Sequence, residues 1–212
     1  MKTLYLVRHG AVLPAGAERI CLGRRDLPLS DLGRAQAAEL APFFSEHPVA
    51  ELWSSPLTRC RETAILLGAG REVHVHSGLI EVDVGKLDCL PFSEIRRRFP
   101  EAWEQNGADP FRFRPPGGEP FEIASERFSQ TLRSILQRAD GDVAVVTHAG
   151  VGRLFLCRVQ GWAAPMMYRI PQPYGCVNTL TWLGGDEYIL EKLAEMCSSS
   201  KHTSKRETSF GD

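Results

Sequence analysis

Short runs of β-forming residues alternate with amphipathic helical stretches along this chain, and that alternation limits the fold more than any other feature. Residues 3–7, 51–54, 73–76 and 142–147 are such runs, each bounded by turn-forming residues. Residues 177–183 and 188–193 read as a terminal pair of strands turned at Gly184, Gly185 and Asp186. Ser30 is a good N-cap for a helix in which Ala37, Leu40, Ala41 and Phe44 recur on one face. Ser55 as cap with Pro56 in the first helical position predicts a second helix, with Leu57, Cys60, Ala64 and Leu67 as its buried stripe. Phe121, Ala124, Phe128, Leu132 and Ile135 line one face of a third helix, and a fourth follows His148 directly. Strand and helix in this order imply an α/β three-layer sandwich, a mostly parallel central sheet with helices on both faces. Such sheets hold their ligands beyond the carboxyl ends of the strands.

The 212 residues suit one domain, with 43% hydrophobic and 24% charged residues as in an ordinary globular chain. The domain is expected over residues 1–196, with a small helical cap at about residues 85–118, where periodicity weakens and Pro and Arg accumulate. Residues 197–212 offer only Phe210 to bury and are expected to be a disordered tail. The net charge of -1 argues against nucleic acid as a partner, whose footprint would be a basic excess. The first apolar run is broken by Arg8 and His9, which fits neither a signal peptide nor a membrane span, so a cytoplasmic protein without a membrane partner is expected. The six cysteines are scattered without a C-x-x-C pair, which argues against a disulfide framework and a zinc site; no metal and no cofactor are expected. Trp162, Met166, Met167 and Tyr168 are apolar enough for core or dimer contact, leaving monomer or homodimer open.

Two of the strands end alike. Arg8-His9-Gly10 and Thr147-His148-Ala149-Gly150 would bring two imidazoles to one sheet edge. Arg59 falls in the first turn of the helix after residues 51–54, where helix dipole and guanidinium would together hold a phosphate. Arg8, between a buried strand and His9, needs an anionic partner. Glu81, flanked by apolar residues, is a candidate acid whose neutral form desolvation favours. Singly, each has a plain alternative: a packed strand end, a solvated arginine, a loop carboxylate. Together they specify phosphoryl transfer through a histidine nucleophile. Cys60 and Cys89 lie near these residues, but neither begins the C-x5-R loop that thiol catalysis requires.

The ordered segments Arg8-His9-Gly10, Gly23-Arg24-Arg25-Asp26-Leu27-Pro28-Leu29-Ser30, Ser54-Ser55-Pro56-Leu57-Thr58-Arg59, Glu81, Pro116-Gly117-Gly118-Glu119 and Thr147-His148-Ala149-Gly150 resemble the histidine phosphatase superfamily, the phosphoglycerate mutase-like fold. The resemblance spans residues 3–193. It implies that His9 is the phosphorylated nucleophile and Glu81 the proton donor. Arg8, Arg59 and His148 would form the phosphate pocket. Further substrate contacts are expected from Gly23, Arg24 and Ala149.

The sequence also departs from the family pattern. Ala11-Val12-Leu13-Pro14-Ala15 replaces the polar residues that commonly follow the first motif, so one contact to phosphate or substrate is either missing or supplied from elsewhere, with Arg24 or the backbone at Gly23 as candidates. Gly85-Lys86-Leu87-Asp88-Cys89 and Pro120 are further departures. The short interval between Glu81 and His148 favours a phosphatase over a phosphoglycerate mutase, which needs a larger lid to exclude water. Residues 168–178 look like the matching stretch of α-ribazole phosphatases. A phosphomonoesterase acting on a small phosphorylated metabolite is therefore expected, with α-ribazole 5′-phosphate, 3-phosphoglycerate and phosphoserine as candidates. A non-catalytic phospho-ligand binding module is the competing class; it would keep the arginines but lose the nucleophile or the acid. Arg97, Arg98, Arg112 and Arg114 in the cap would meet a second anionic group or form a solvated face.

Overall fold

The computed structural model describes residues 1–197. In chain order its elements are β1 (Lys2–Arg8), β2 (Ile20–Cys21), α1 (Asp31–Ala38), α2 (Leu40–Glu46), β3 (Glu51–Ser54), α3 (Thr58–Gly68), β4 (His74–Val75), β5 (Leu90–Pro91), α4 (Phe92–Arg98), α5 (Pro100–Ala108), α6 (Phe121–Arg138), β6 (Val143–Thr147), α7 (Ala149–Gln160), β7 (Val177–Gly184) and β8 (Glu187–Glu195). Six strands form one sheet in the order β4-β3-β6-β1-β7-β8. β4, β3, β6 and β1 are mutually parallel, β7 runs antiparallel to β1, and β8 returns as a hairpin. The mostly parallel sheet expected from the alternation is thus present.

The central strands β1 and β6 are buried on both faces, which explains why they read as unbroken apolar runs. Leu4, Leu6, Val143 and Val145 point to one side and pack with Phe128 and Leu132 of α6 and Leu154 and Phe155 of α7. Tyr5, Val7, Ala144 and Val146 point to the other and meet Leu40 and Phe44 of α2 and Cys60, Ala64 and Leu67 of α3. The period of two along each strand thereby separates the two cores.

Three local readings are corrected. The helix capped by Ser30 is broken at Glu39 into α1 and α2. Pro42 supplies the reason, since it has no N–H to donate to the carbonyl of Ala38. α3 begins at Thr58 rather than at Pro56, with Leu57 extended as its cap. Its first turn is held from a distance by Asp26, which accepts from the backbone N–H and the hydroxyl of Thr58 at 2.7 and 2.8 Å. The strand read over residues 73–76 shortens to β4.

Residues 85–118 hold α4, α5 and β5, and β5 pairs with β2 in a two-stranded ribbon. Strands of two residues are too short to carry a period. Among the described residues no helix is long and apolar enough to cross a membrane. Cys197, the first residue of the expected tail, packs half-buried against the α2–α3 core; residues 198–212 lie outside the described residues.

Candidate active site

β1 and β6 are neighbours, and their register pairs Arg8 with Thr147. The next residue on each strand is a histidine. The backbone N–H of His9 donates to Thr147 O at 3.0 Å, and the two imidazole centroids lie 5.2 Å apart. β3, on the other side of β6, delivers Ser54 and Ser55 to the same edge, with Ser55 N–H donating to Val146 O at 3.0 Å. α3 follows and carries Arg59 in its first turn.

His9 is 4% exposed. Its Nδ1 lies 2.7 Å from the carbonyl oxygen of Gly10, which can only accept, so Nδ1 carries the proton. Nε2 is left with its lone pair and receives the Nε–H of Arg59 at 3.3 Å. Arg59 is fully buried and further fixed by donating to Arg25 O at 2.9 Å and Gly23 O at 2.7 Å. Arg8 donates to Gln172 O and lies 3.8 Å from the centroid of the Tyr174 ring, while its own buried Nε has no protein partner. His148 is 1% exposed, with Nε2 2.7 Å from Ser55 Oγ and the Cys60 thiol against its ring.

Glu81 is 6% exposed but not in the bare apolar setting expected for it. Oε1 accepts from Val82 N–H and Val151 N–H, and Oε2 from Gly150 N–H, each at 2.9 Å. Two of these donors lie in the first turn of α7, where the helix dipole attracts a carboxylate. A Cβ on Gly150 would stand 2.6 Å from Glu81 Oε1, so only glycine permits this approach.

Arg8, His9, Glu81, Ala149 and Gly150 line a cavity of about 280 Å³. Arg59 and His148 stand directly behind His9, through the contacts given above. The structure therefore brings together His9, His148, Arg8, Arg59, Glu81 and Ala149. Gly23 and Arg24, expected to touch substrate, do not line the cavity. Gly23 uses its carbonyl on Arg59 and its N–H on Asp88 Oδ1, 2.9 Å away. Arg24 spans Glu81 O at 3.1 Å and Glu119 Oε1 at 2.7 Å, so it buttresses the acid from behind. The cap arginines face away: Arg97 and Arg112 are exposed, Arg98 pairs with Glu94, and Arg114 donates to Gly118 O. Sequence reasoning gave Ser55 only the part of a helix cap and assigned no role to Tyr174, Asp88 or Arg153, whose contacts at the site cross the sequence. Among the described residues no group of three His, Cys, Asp or Glu side chains is placed to hold a metal ion.

Both imidazoles are pushed well below their ordinary value of 6.5, first by burial and then by the guanidinium of Arg59. Arg8 adds to this at His9; His9, Arg8 and Arg127 add to it at His148. Below about pH 6.5 the unfolded chain takes up protons at these positions while the folded chain does not, so stability falls with falling pH. The expected result is a lower urea midpoint near pH 5.5 than near pH 7.5, with a smaller difference in His9→Asn. The same difference in the variant would contradict a buried neutral His9.

A family model described as the histidine phosphatase superfamily, branch 1, matches residues 4–194. The chain belongs to this superfamily. A 6-phosphofructo-2-kinase/fructose-2,6-bisphosphatase of Caenorhabditis elegans is 31% identical over 159 residues, covering 73% of this chain and 33% of that protein. The chain thus spans about a third of that relative. Among solved structures, a mycobacterial glucosyl-3-phosphoglycerate phosphatase superposes with a TM-score of 0.80 at 23% identity, over 92% of this chain and 99% of the other. An Escherichia coli protein provisionally assigned as an α-ribazole-5′-P phosphatase superposes with a TM-score of 0.77 at 22% identity, over 93% of this chain and 98% of the other. At these identities the two structures establish the shared phosphoglycerate mutase-like fold.

Proposed function

We propose that the protein is a phosphomonoesterase that hydrolyses a small phosphorylated metabolite through a phosphohistidine at His9. The observation that carries this reading is the state of the His9 ring: Nδ1–H held by Gly10 O leaves Nε2 as the unprotonated nitrogen, where Arg59 Nε–H stands at 3.3 Å and a bound phosphoryl group would take that guanidinium's place at the lone pair. Burial keeps that imidazole neutral and nucleophilic.

Nε2 attacks phosphorus in line with the ester oxygen, forming the N–P bond as the P–O bond breaks. Arg8, Arg59 and His148 hold the equatorial oxygens and balance their charge. The buried, unpartnered Nε of Arg8 supports a place for that anion. Glu81 Oε2 accepts one backbone bond against two at Oε1, so Oε2 is the oxygen with room for a proton; protonated in the substrate complex, it gives that proton to the leaving alkoxide and is left as the carboxylate. In the second step the same oxygen takes a proton from water, which attacks phosphorus and frees His9 and inorganic phosphate. Every group in these steps is a side chain of the chain itself, so hydrolysis without a metal ion is proposed.

A cavity of about 280 Å³ suits a metabolite better than a peptide. The likeness of residues 168–178 to α-ribazole phosphatases and the neighbouring E. coli fold support α-ribazole 5′-phosphate as one candidate, beside 3-phosphoglycerate and phosphoserine. Phosphate release from these three, an aryl phosphate and fructose 2,6-bisphosphate, before and after chelation, tests the reading. Turnover that survives chelation is expected. Isomerisation without release would favour a mutase, and binding without turnover the non-catalytic module.

A further inference from the structure

Ser55 is fully buried at the carboxyl edge of the sheet, and its hydroxyl does not cap α3, which starts at Thr58. The sheet itself fixes where that hydroxyl stands. β3 pairs with β6 in the register Ser54 with Val146, Ser55 N–H donates to Val146 O at 3.0 Å, and Ser54 Oγ donates to Ser55 O at 2.8 Å. His148 follows directly on the last residue of β6. The 2.7 Å between Ser55 Oγ and His148 Nε2 is therefore set by a strand ladder on both sides. A buried hydroxyl is costly unless its hydrogen bonds are made, and this one meets an imidazole.

The direction of that bond follows from the other partners. Leu57 N–H donates to Ser55 Oγ at 3.4 Å, so the oxygen already accepts there. Among the described residues, His148 Nε2 is the one nitrogen or oxygen placed to receive the hydroxyl's own proton. Burial and the nearby guanidiniums keep His148 neutral, so with Ser55 O–H donating to Nε2 its single ring proton sits on Nδ1. The polar neighbour of Nδ1 among the described residues is Cys60 Sγ at 3.7 Å. That thiol is kept protonated by burial, is a weak partner, and has Thr147 O at 3.5 Å to take its proton. Nδ1–H is thereby left for a ligand, on a ring 5.2 Å from that of His9. The reverse tautomer would leave the Ser55 proton without a nitrogen or oxygen acceptor and would present a lone pair at Nδ1, which repels an anion.

We propose that Ser55 is a positioning residue: its hydroxyl fixes His148 as the Nδ1–H tautomer, so that a neutral imidazole donates to a phosphoryl oxygen. This rests on the phosphatase reading, but the tautomer is read without turnover. In the full chain carrying isotopically labelled histidine, long-range nitrogen–proton correlation spectra near neutral pH report each ring nitrogen of His148, assigned through its backbone. Wild type is expected to show a protonated Nδ1, a bare Nε2, and an Nδ1–H signal that moves when inorganic phosphate is added. In Ser55→Ala the Nε2–H form is expected to appear, phosphate to bind more weakly, and release from an aryl phosphate to fall about tenfold or more, because an imidazole in the wrong tautomer cannot donate. Ser55→Thr keeps the hydroxyl and is expected to keep the Nδ1–H form and recover most of the rate; wild type and Ser55→Ala decide the matter if threonine does not fit. A proton on Nε2 in wild type would overturn the proposal even if no variant folds. So would an unchanged Nδ1–H form in Ser55→Ala, which would reduce Ser55 to packing, or a rate there within twofold of wild type. Failure of wild type to release phosphate from any ester, with the tautomer and its response to inorganic phosphate as expected, would instead strike the phosphatase reading alone.

Discussion

Replacing His9 with Ala is expected to lower phosphate release by about 10⁴-fold or more, the scale on which a covalent nucleophile is missed. The reason is that no other side chain among the described residues is placed to take its place. His148 stands 5.2 Å away ring to ring, but its Nε2 is engaged by Ser55 and its ring is covered by Cys60. The Cys60 thiol is fully buried and its ionisation strongly opposed by that burial. Cys21 lines the cavity, but burial pushes its thiol up to about 12, leaving little thiolate near neutral pH. Steady-state release from an aryl phosphate checks this, with circular dichroism to confirm that the variant is folded. A residual rate within tenfold of wild type would remove His9 from the mechanism.

The second large effect is expected at Arg59. Arg59→Met should cost on the order of 3 kcal/mol in the transition state, or about 100-fold and more in rate, as for the loss of one preorganised donor to a developing anion. It should also lower stability, because the carbonyls of Gly23 and Arg25 lose their buried donor. Arg59→Lys keeps the charge, yet one ammonium cannot reproduce the planar fork that reaches Gly23 O, Arg25 O and His9 Nε2 together. An intermediate rate is expected for it. Rates measured beside urea midpoints separate the two roles, and a loss below tenfold in Arg59→Met would make Arg59 a scaffold residue alone.

Much of this arrangement was legible before any coordinates. Leu4 and Leu6 against Tyr5 and Val7, and the same alternation at Val143 to Val146, are fixed by a period of two and by burial on both faces, so the strands and their order of chemistry could be read. The paired histidines could be placed because β1 and β6 both end in the same way. What could not be read depends on contacts that cross the sequence. Asp26 caps α3, Asp88 holds Gly23 and Arg25, and Tyr174 covers Arg8. No local propensity encodes such partners. Local propensity therefore starts α3 two residues early, and it gives no sign that Gly23 bonds Arg59 and Asp88 or that Arg24 bonds Glu81 O and Glu119. Glu81 illustrates the same limit from another side. Its neighbours in sequence are apolar, whereas its neighbours in space are three backbone donors.

The central claim is a covalent bond between phosphorus and the imidazole of His9, and it can be observed directly. Protein mixed with a rapidly hydrolysed phosphoester is quenched in alkali within the first turnover and its peptides are weighed and fragmented. A phosphoryl group on His9, stable in base, lost in acid and absent from His9→Ala, is the expected result. Product formation with no phosphorylated His9, or with the phosphoryl group on another residue, would contradict it.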